Sequence, residues 1–139
     1  MQKLRLRGVC LGLLFGMCGL LLSCGDDGNS EPDIAGLYSG TIQDSVAGPG
    51  TVTATIVQDG ADLTGTWQSL FNNPNNNNGG NLTGTIHDTS IILVLETSNP
   101  NNCPYDVTAI LVSPVEISGN YAAFNCSRAI TGTLDVVRQ

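Results

Sequence analysis

Residues Thr51 to Trp67 read TVTATIVQDGADLTGTW, with threonine and apolar residues alternating on both sides of Asp59-Gly60. A period of two places Val52, Ala54 and Ile56 on one face of a first strand, and Leu63, Gly65 and Trp67 on one face of a second. Asp59-Gly60 suits a two-residue hairpin turn of the primed type. That turn predicts Ile56 opposite Leu63, Ala54 opposite Gly65 and Val52 opposite Trp67. The other face then pairs Thr55 with Thr64 and Thr53 with Thr66, a hydroxyl surface suited to water.

The same grammar recurs along the chain as YSGTI (Tyr38 to Ile42), LTGTW (Leu63 to Trp67), LTGTI (Leu82 to Ile86), ISGNY (Ile117 to Tyr121) and ITGTL (Ile130 to Leu134). Each copy sets two apolar residues and a glycine on one face, where the glycine lets a strand coil tightly and leaves room inside. The uneven spacing of the copies argues against a solenoid. No apolar stripe at helical spacing follows residue 34, and the 17 glycines and many threonines and valines favour strands. Eight strands are predicted, at about 35–42, 51–58, 62–68, 81–87, 90–96, 105–112, 117–124 and 129–137. Connections after the second, fourth and sixth are tight, and those after the odd strands are longer. The expected fold class is all-β, an eight-stranded antiparallel up-and-down β-barrel with one end closed by turns and a mouth bearing the long loops.

The N-terminus differs from the rest. Lys3, Arg5 and Arg7 precede the uncharged apolar run Val9 to Leu22, too short for the ~20 residues of a spanning helix and matched to a secretory signal peptide. Leu21-Leu22-Ser23-Cys24 then resembles the lipobox of bacterial lipoproteins. The resemblance implies that residues 1–23 are a lipoprotein signal peptide, and that Cys24 becomes the first mature residue, carrying diacylglycerol on its sulfur and an acyl chain such as palmitate on its amine. Its partner is then a lipid bilayer, and its location the bacterial cell envelope, on the inner or outer membrane. Residues 24–33 lack periodicity and bulky apolar side chains and are expected to form a flexible tether. Residues 34–139 form the barrel domain.

Cleavage would leave Arg128 and Arg138 against all 12 acids, a formal charge of −10. So acidic a surface is unsuited to nucleic acid. Cys103 and Cys126 are the cysteines left once Cys24 is acylated, and in an exported chain they are expected to form a disulfide across the mouth, worth ~3 kcal/mol. Two thiols and the single histidine, His87, make no zinc site, and no cofactor is implied.

Gly36-Leu37-Tyr38 is similar to the Gly-x-Trp motif that opens lipocalins and their calycin relatives, and LTGTW resembles strand repeats of avidin-type barrels. That resemblance implies a basic side chain of the last strand packed over the first-strand aromatic, which assigns Tyr38 and Arg138 as a barrel-closing cation–π pair. Here tyrosine stands in place of tryptophan, and the chain is much shorter than a lipocalin.

No residue set for catalysis is evident. His87, Asp88 and Ser90 read as turn chemistry, and no enzyme is expected. Tyr38, Trp67, Tyr105 and Tyr121 are candidates to line a ligand cavity, although inward aromatics also simply fill cores. The asparagine-rich stretch Phe71 to Asn81 reads either as a polar lip that hydrogen-bonds a ligand such as a glycan or as a tolerated low-complexity loop. The function expected is binding of a small apolar or amphipathic ligand. The alternative is a structural or protease-inhibitor-like module that meets an envelope protein through its loops around a packed interior.

Overall fold

The alternating pattern forms eight strands: β1 (Gly36–Asp44), β2 (Gly48–Asp59), β3 (Asp62–Phe71), β4 (Asn78–His87), β5 (Ser90–Leu95), β6 (Tyr105–Ser113), β7 (Glu116–Ala123) and β8 (Ile130–Arg138). The structure is a computed structural model that describes residues 30–99, 102–123 and 129–139. Each strand pairs antiparallel with its neighbours in sequence, and β8 returns to β1, so the sheet is a closed barrel with no free edge. Connections 60–61, 88–89 and 114–115 close one end, while 45–47, 72–77 and the strand ends at Leu95, Tyr105, Ala123 and Ile130, from which the other two long connections run, lie at the other. The expected alternation of short and long connections is thus observed.

The first hairpin differs by one detail. Asp59 pairs with Asp62, so Gly60-Ala61 forms the turn, and Ile56 faces Gly65, Ala54 faces Trp67 and Val52 faces Ser69. Gly60 has φ 60° and Ala61 is not in the positive region, the pattern of a turn with glycine first. The register moves by two residues, and an even shift returns every side chain to its expected face. A bulge at Val112, between Leu111 opposite Ile117 and Ser113 opposite Glu116, similarly adjusts the β6–β7 hairpin.

The inward glycines do not open space inside. A Cβ on Gly40 would overlap the Asp135 carbonyl oxygen of β8, and one on Gly65 would overlap the Thr55 carbonyl oxygen of β2. The volume saved is occupied by the neighbouring backbone, which lets a small barrel curve. Gly132 likewise leaves its space to the Tyr121 ring. Aliphatic side chains including Ile56, Leu63, Ile86, Ile91 and Ile117 fill the closed-end half of the interior.

Residues 31–34 strap that closed end, which corrects the expectation of a flexible tether through residue 33. Ile34 is 0% exposed beneath the barrel. Its N–H donates to Gln58 Oε1 (2.8 Å), while Gln58 Nε2 donates to the Pro32 carbonyl (3.0 Å). Glu31 accepts from the Asp88 N–H (2.7 Å) and pairs with His87 Nδ1 (3.1 Å). The strap binds because its backbone polar groups find partners at the turns, information that a composition-based reading of a polar segment does not contain.

Arg138 completes the closure. Its guanidinium carbon lies 5.7 Å from the Tyr38 ring centroid, its Nε donates to Tyr38 Oη (3.2 Å), and a second nitrogen donates to the Asp33 carbonyl (2.5 Å). Tyr38 Oη in turn donates to the Ile34 carbonyl (2.9 Å).

The Glu31–His87 pair gives the strap a pH window. Glu31 raises the His87 pKa above 6.5, chiefly through their hydrogen bond, and His87 lowers that of Glu31 by the same bond. The contribution of His87 is complete below pH ~6.5 and is lost as pH rises through its raised folded value. That of Glu31 is complete above its ordinary range and is lost as pH falls through its lowered value. An NMR titration should give His87 a pKa above 6.5 that falls toward 6.5 in Glu31→Gln. An identical value in the variant would contradict the pairing.

Candidate functional site

At the mouth the same strands carry different side chains. The inward series of β1 runs Tyr38, Gly40, Ile42 to Asp44, and that of β3 runs Leu63, Gly65, Trp67 to Ser69 and Phe71. Both strands are longer than the sequence pattern predicts, and their extra residues line a cavity of about 440 Å³. Its wall also includes Leu95, Tyr105, Tyr121, Ile130, the connection residues Asn75 to Asn77 and Asn78 at the start of β4.

Three of the four expected aromatics converge here. Trp67 and Tyr105 meet edge to face with centroids 5.8 Å apart, and Tyr105 meets Tyr121 at 5.5 Å, with planes at 88° and 90°. Such contacts contribute ~0.5–1.5 kcal/mol each beyond burial, so the three rings form a stiff wall. Trp67 Nε1 donates to the Glu96 carbonyl (2.9 Å), and Tyr105 Oη accepts from Asn78 Nδ2 (3.3 Å). Tyr38 does not line the cavity. It is 0% exposed at the closed end under Arg138, because β1 begins there and only its last residues reach the mouth.

Asp44 is the acid in this wall, and it is only 8% exposed. Its Oδ1 accepts from the Val46 and Ala47 N–H groups (2.7 and 2.8 Å), shaping the 45–47 turn, and its Oδ2 accepts from Tyr121 Oη (2.7 Å). Burial, then the Asp44 carboxylate, pushes the Tyr121 hydroxyl pKa well up, so Tyr121 remains a neutral donor. Burial also raises Tyr105, against the Asn78 hydrogen bond. Ser69, 2% exposed, lies in the same lining. The sequence pattern, which ends these strands at 42 and 68, omits Asp44 and Ser69; the one signal for them is the period of two carried past those ends.

The asparagine-rich stretch is more ordered than an inert insert. Pro74–Asn76 is a turn of 3₁₀-helix capped by Asn73, whose Oδ1 accepts from the Asn75 N–H (3.1 Å). Asn77 Oδ1 accepts from the Phe71 N–H (2.7 Å), and residues 78–81 belong to β4 rather than the loop. Amide side chains satisfy the connection's own backbone and present further amides to the cavity.

Cys103 is disulfide-bonded and lies in the cavity wall. Cys126, its expected partner, and Cys24 fall outside the described residues. His87 ends β4 beside the 88–89 turn, its side chain 85% exposed, paired with Glu31 and remote from the mouth. Among the described residues no cluster of His, Cys, Asp and Glu suits a metal ion.

The barrel fold is shared with solved structures. The chain superposes on a barrel designated EF1p2_mFAP2b, bound to DFHBI, with TM-score 0.65 and 11% identity over 76% of this chain and 93% of that one. The redesigned barrel mFAP1, also bound to DFHBI, gives 0.63 and 11% over 76% and 94%. A further redesigned barrel, b11L5F_LGL, gives 0.59 and 16% over 76% and 90%. No family model matches the sequence, and no curated protein matches it. At these identities the likeness establishes the closed eight-stranded antiparallel barrel fold alone.

Proposed function

We propose that this chain is a bacterial envelope lipoprotein, anchored through acylated Cys24, whose barrel binds a small apolar or amphipathic ligand at its mouth. The observation that carries the binding function is the cavity of about 440 Å³ walled by Trp67, Tyr105 and Tyr121 above an aliphatic plug. Its size is that of small-molecule sites, and its lining sets aromatic and aliphatic side chains beside Asp44, Ser69 and the asparagine amides, a surface suited to an amphipathic ligand. Barrels of this shape bound to DFHBI support the same reading. The anchor rests on the Leu21-Leu22-Ser23-Cys24 pattern. The chain enters the barrel at the closed end, so the proposed anchor would attach on the side opposite the mouth.

Trp67 is the chain's single tryptophan, so its emission reports on the cavity alone. Titration with the neutral quencher 1-nitronaphthalene should quench it saturably at one site per chain, and Ser69→Phe, which fills the lining beside it, should weaken that quenching about tenfold or more. Linear, unsaturated quenching that Ser69→Phe leaves unchanged would refute a binding cavity.

A second reading, contact with an envelope protein, is favoured by outward aliphatics on the closed-end halves of the strands, among them Ile92, Ile110 and Val112, each more than half exposed. A cross-linked partner lost when these residues become serine, with Trp67 quenching absent, would favour that reading.

A further inference from the structure

We propose that the mouth selects ligands bearing a positive charge, an amine or quaternary ammonium on an apolar body, with Asp44 as counter-ion and the neighbouring aromatic rings as walls. The inference rests on the reading of the mouth as a ligand site, and deepens it by assigning the chemical class of the ligand.

Among the described residues Asp44 is the single charged side chain in the cavity lining, and no lysine, arginine or histidine joins it there. Among the described residues the ion pairs involve His87, at the opposite end, and none reaches Asp44. A carboxylate left this buried without a cation is costly unless its charge is used. The turn does not require the charge, because both turn N–H groups bond one oxygen, Oδ1, which an asparagine amide supplies equally well. Oδ2 accepts a single hydrogen bond, from Tyr121. It therefore retains acceptor capacity. The charge is felt across the site, since Asp44 contributes to raising both tyrosine hydroxyls.

A cation entering this mouth gains a charge-assisted bond to Asp44 in a site of low dielectric and adjoins the negative faces available on tryptophan and tyrosine rings. A carboxylate ligand of equal size meets repulsion from Asp44 and finds no cation among the described residues of the lining. The acidic surplus of the whole chain, −7 over its full length, biases encounter in the same direction.

Three probes with one body test this: 1-naphthylmethylammonium, 1-naphthylmethanol and 1-naphthylacetate, titrated calorimetrically into the full chain in zwitterionic nanodiscs with empty nanodiscs as blank. The expected order of affinity is ammonium, alcohol, carboxylate, with about tenfold or more between the first and the last, narrowing as salt is raised. Asp44→Asn should remove the ammonium's advantage over the alcohol. The wild-type order is decisive even if that variant folds poorly. Equal affinities, or a preference for the carboxylate, would overturn the cation assignment and leave the binding cavity standing. Absence of binding by all three would overturn both.

Discussion

Gly65→Ala should destabilise the barrel by about 3 kcal/mol or more, a large share of the ~5–15 kcal/mol that holds a domain of this size. Two independent effects add. Gly65 has φ 155°, a conformation that side-chain-bearing residues rarely adopt, and a Cβ there would overlap the Thr55 carbonyl oxygen and stand 3.0 Å from its carbon. β3 would have to withdraw from β2, and the adjoining pairs Ile56–Gly65 and Ala54–Trp67 would separate. Urea unfolding monitored at Trp67 should show the midpoint fall sharply. Gly60→Asn is the matched comparison: its φ of 60° is one that asparagine tolerates, nothing lies within 4 Å of an added Cβ, and the loss should stay under about 1 kcal/mol. Equal effects at the two sites would mean that close strand approach is not what these glycines provide.

Cys24→Ala should have an all-or-none effect on processing. With the thiol present, the proposed mature protein lacks residues 1–23 and carries lipid on Cys24, and two or three acyl chains at ~0.8 kcal/mol per buried CH₂ hold it stably on a bilayer. Without the thiol there is no acceptor for the lipid, and the product should be the unacylated, uncleaved chain of 139 residues. Intact-mass measurement of both proteins from bacterial membranes distinguishes the outcomes. A wild-type mass lacking acyl chains, or the same cleavage in Cys24→Ala, would rule out the anchor.

Strand number, facing and closure were legible because a period of two survives small errors of register. The β2–β3 turn illustrates this: its centre lies one residue later than Asp59-Gly60 suggests, yet Ile56, Leu63 and Trp67 all remain inside. Strand ends were less legible, because polar inward residues near a mouth look like loop. Asp44 and Ser69 continue the inward series of Ile42 and Trp67, but their polarity breaks the apolar alternation on which the pattern rests. The strap was hidden for the converse reason. Glu31 and Asp33 make a segment look solvated, and only tertiary structure brings Gln58, Asp88 and Arg138 to its backbone and carboxylate. The glycines were placed on the correct face, but close strand contact rather than cavity volume explains them at Gly40 and Gly65.

Small-molecule binding at the mouth is the central expectation. The most direct measurement is a map of backbone amide shifts in the ¹⁵N-labelled full chain as 1-naphthylmethylammonium is added. The account predicts saturable shifts centred on Asp44 to Ala47, Trp67 to Phe71, Asn78, Tyr105 and Tyr121, with β-strand amides of the closed end unmoved. Shifts centred instead on Ile92, Ile110 and Val112 of the outer face, or no saturable shift at all, would contradict it.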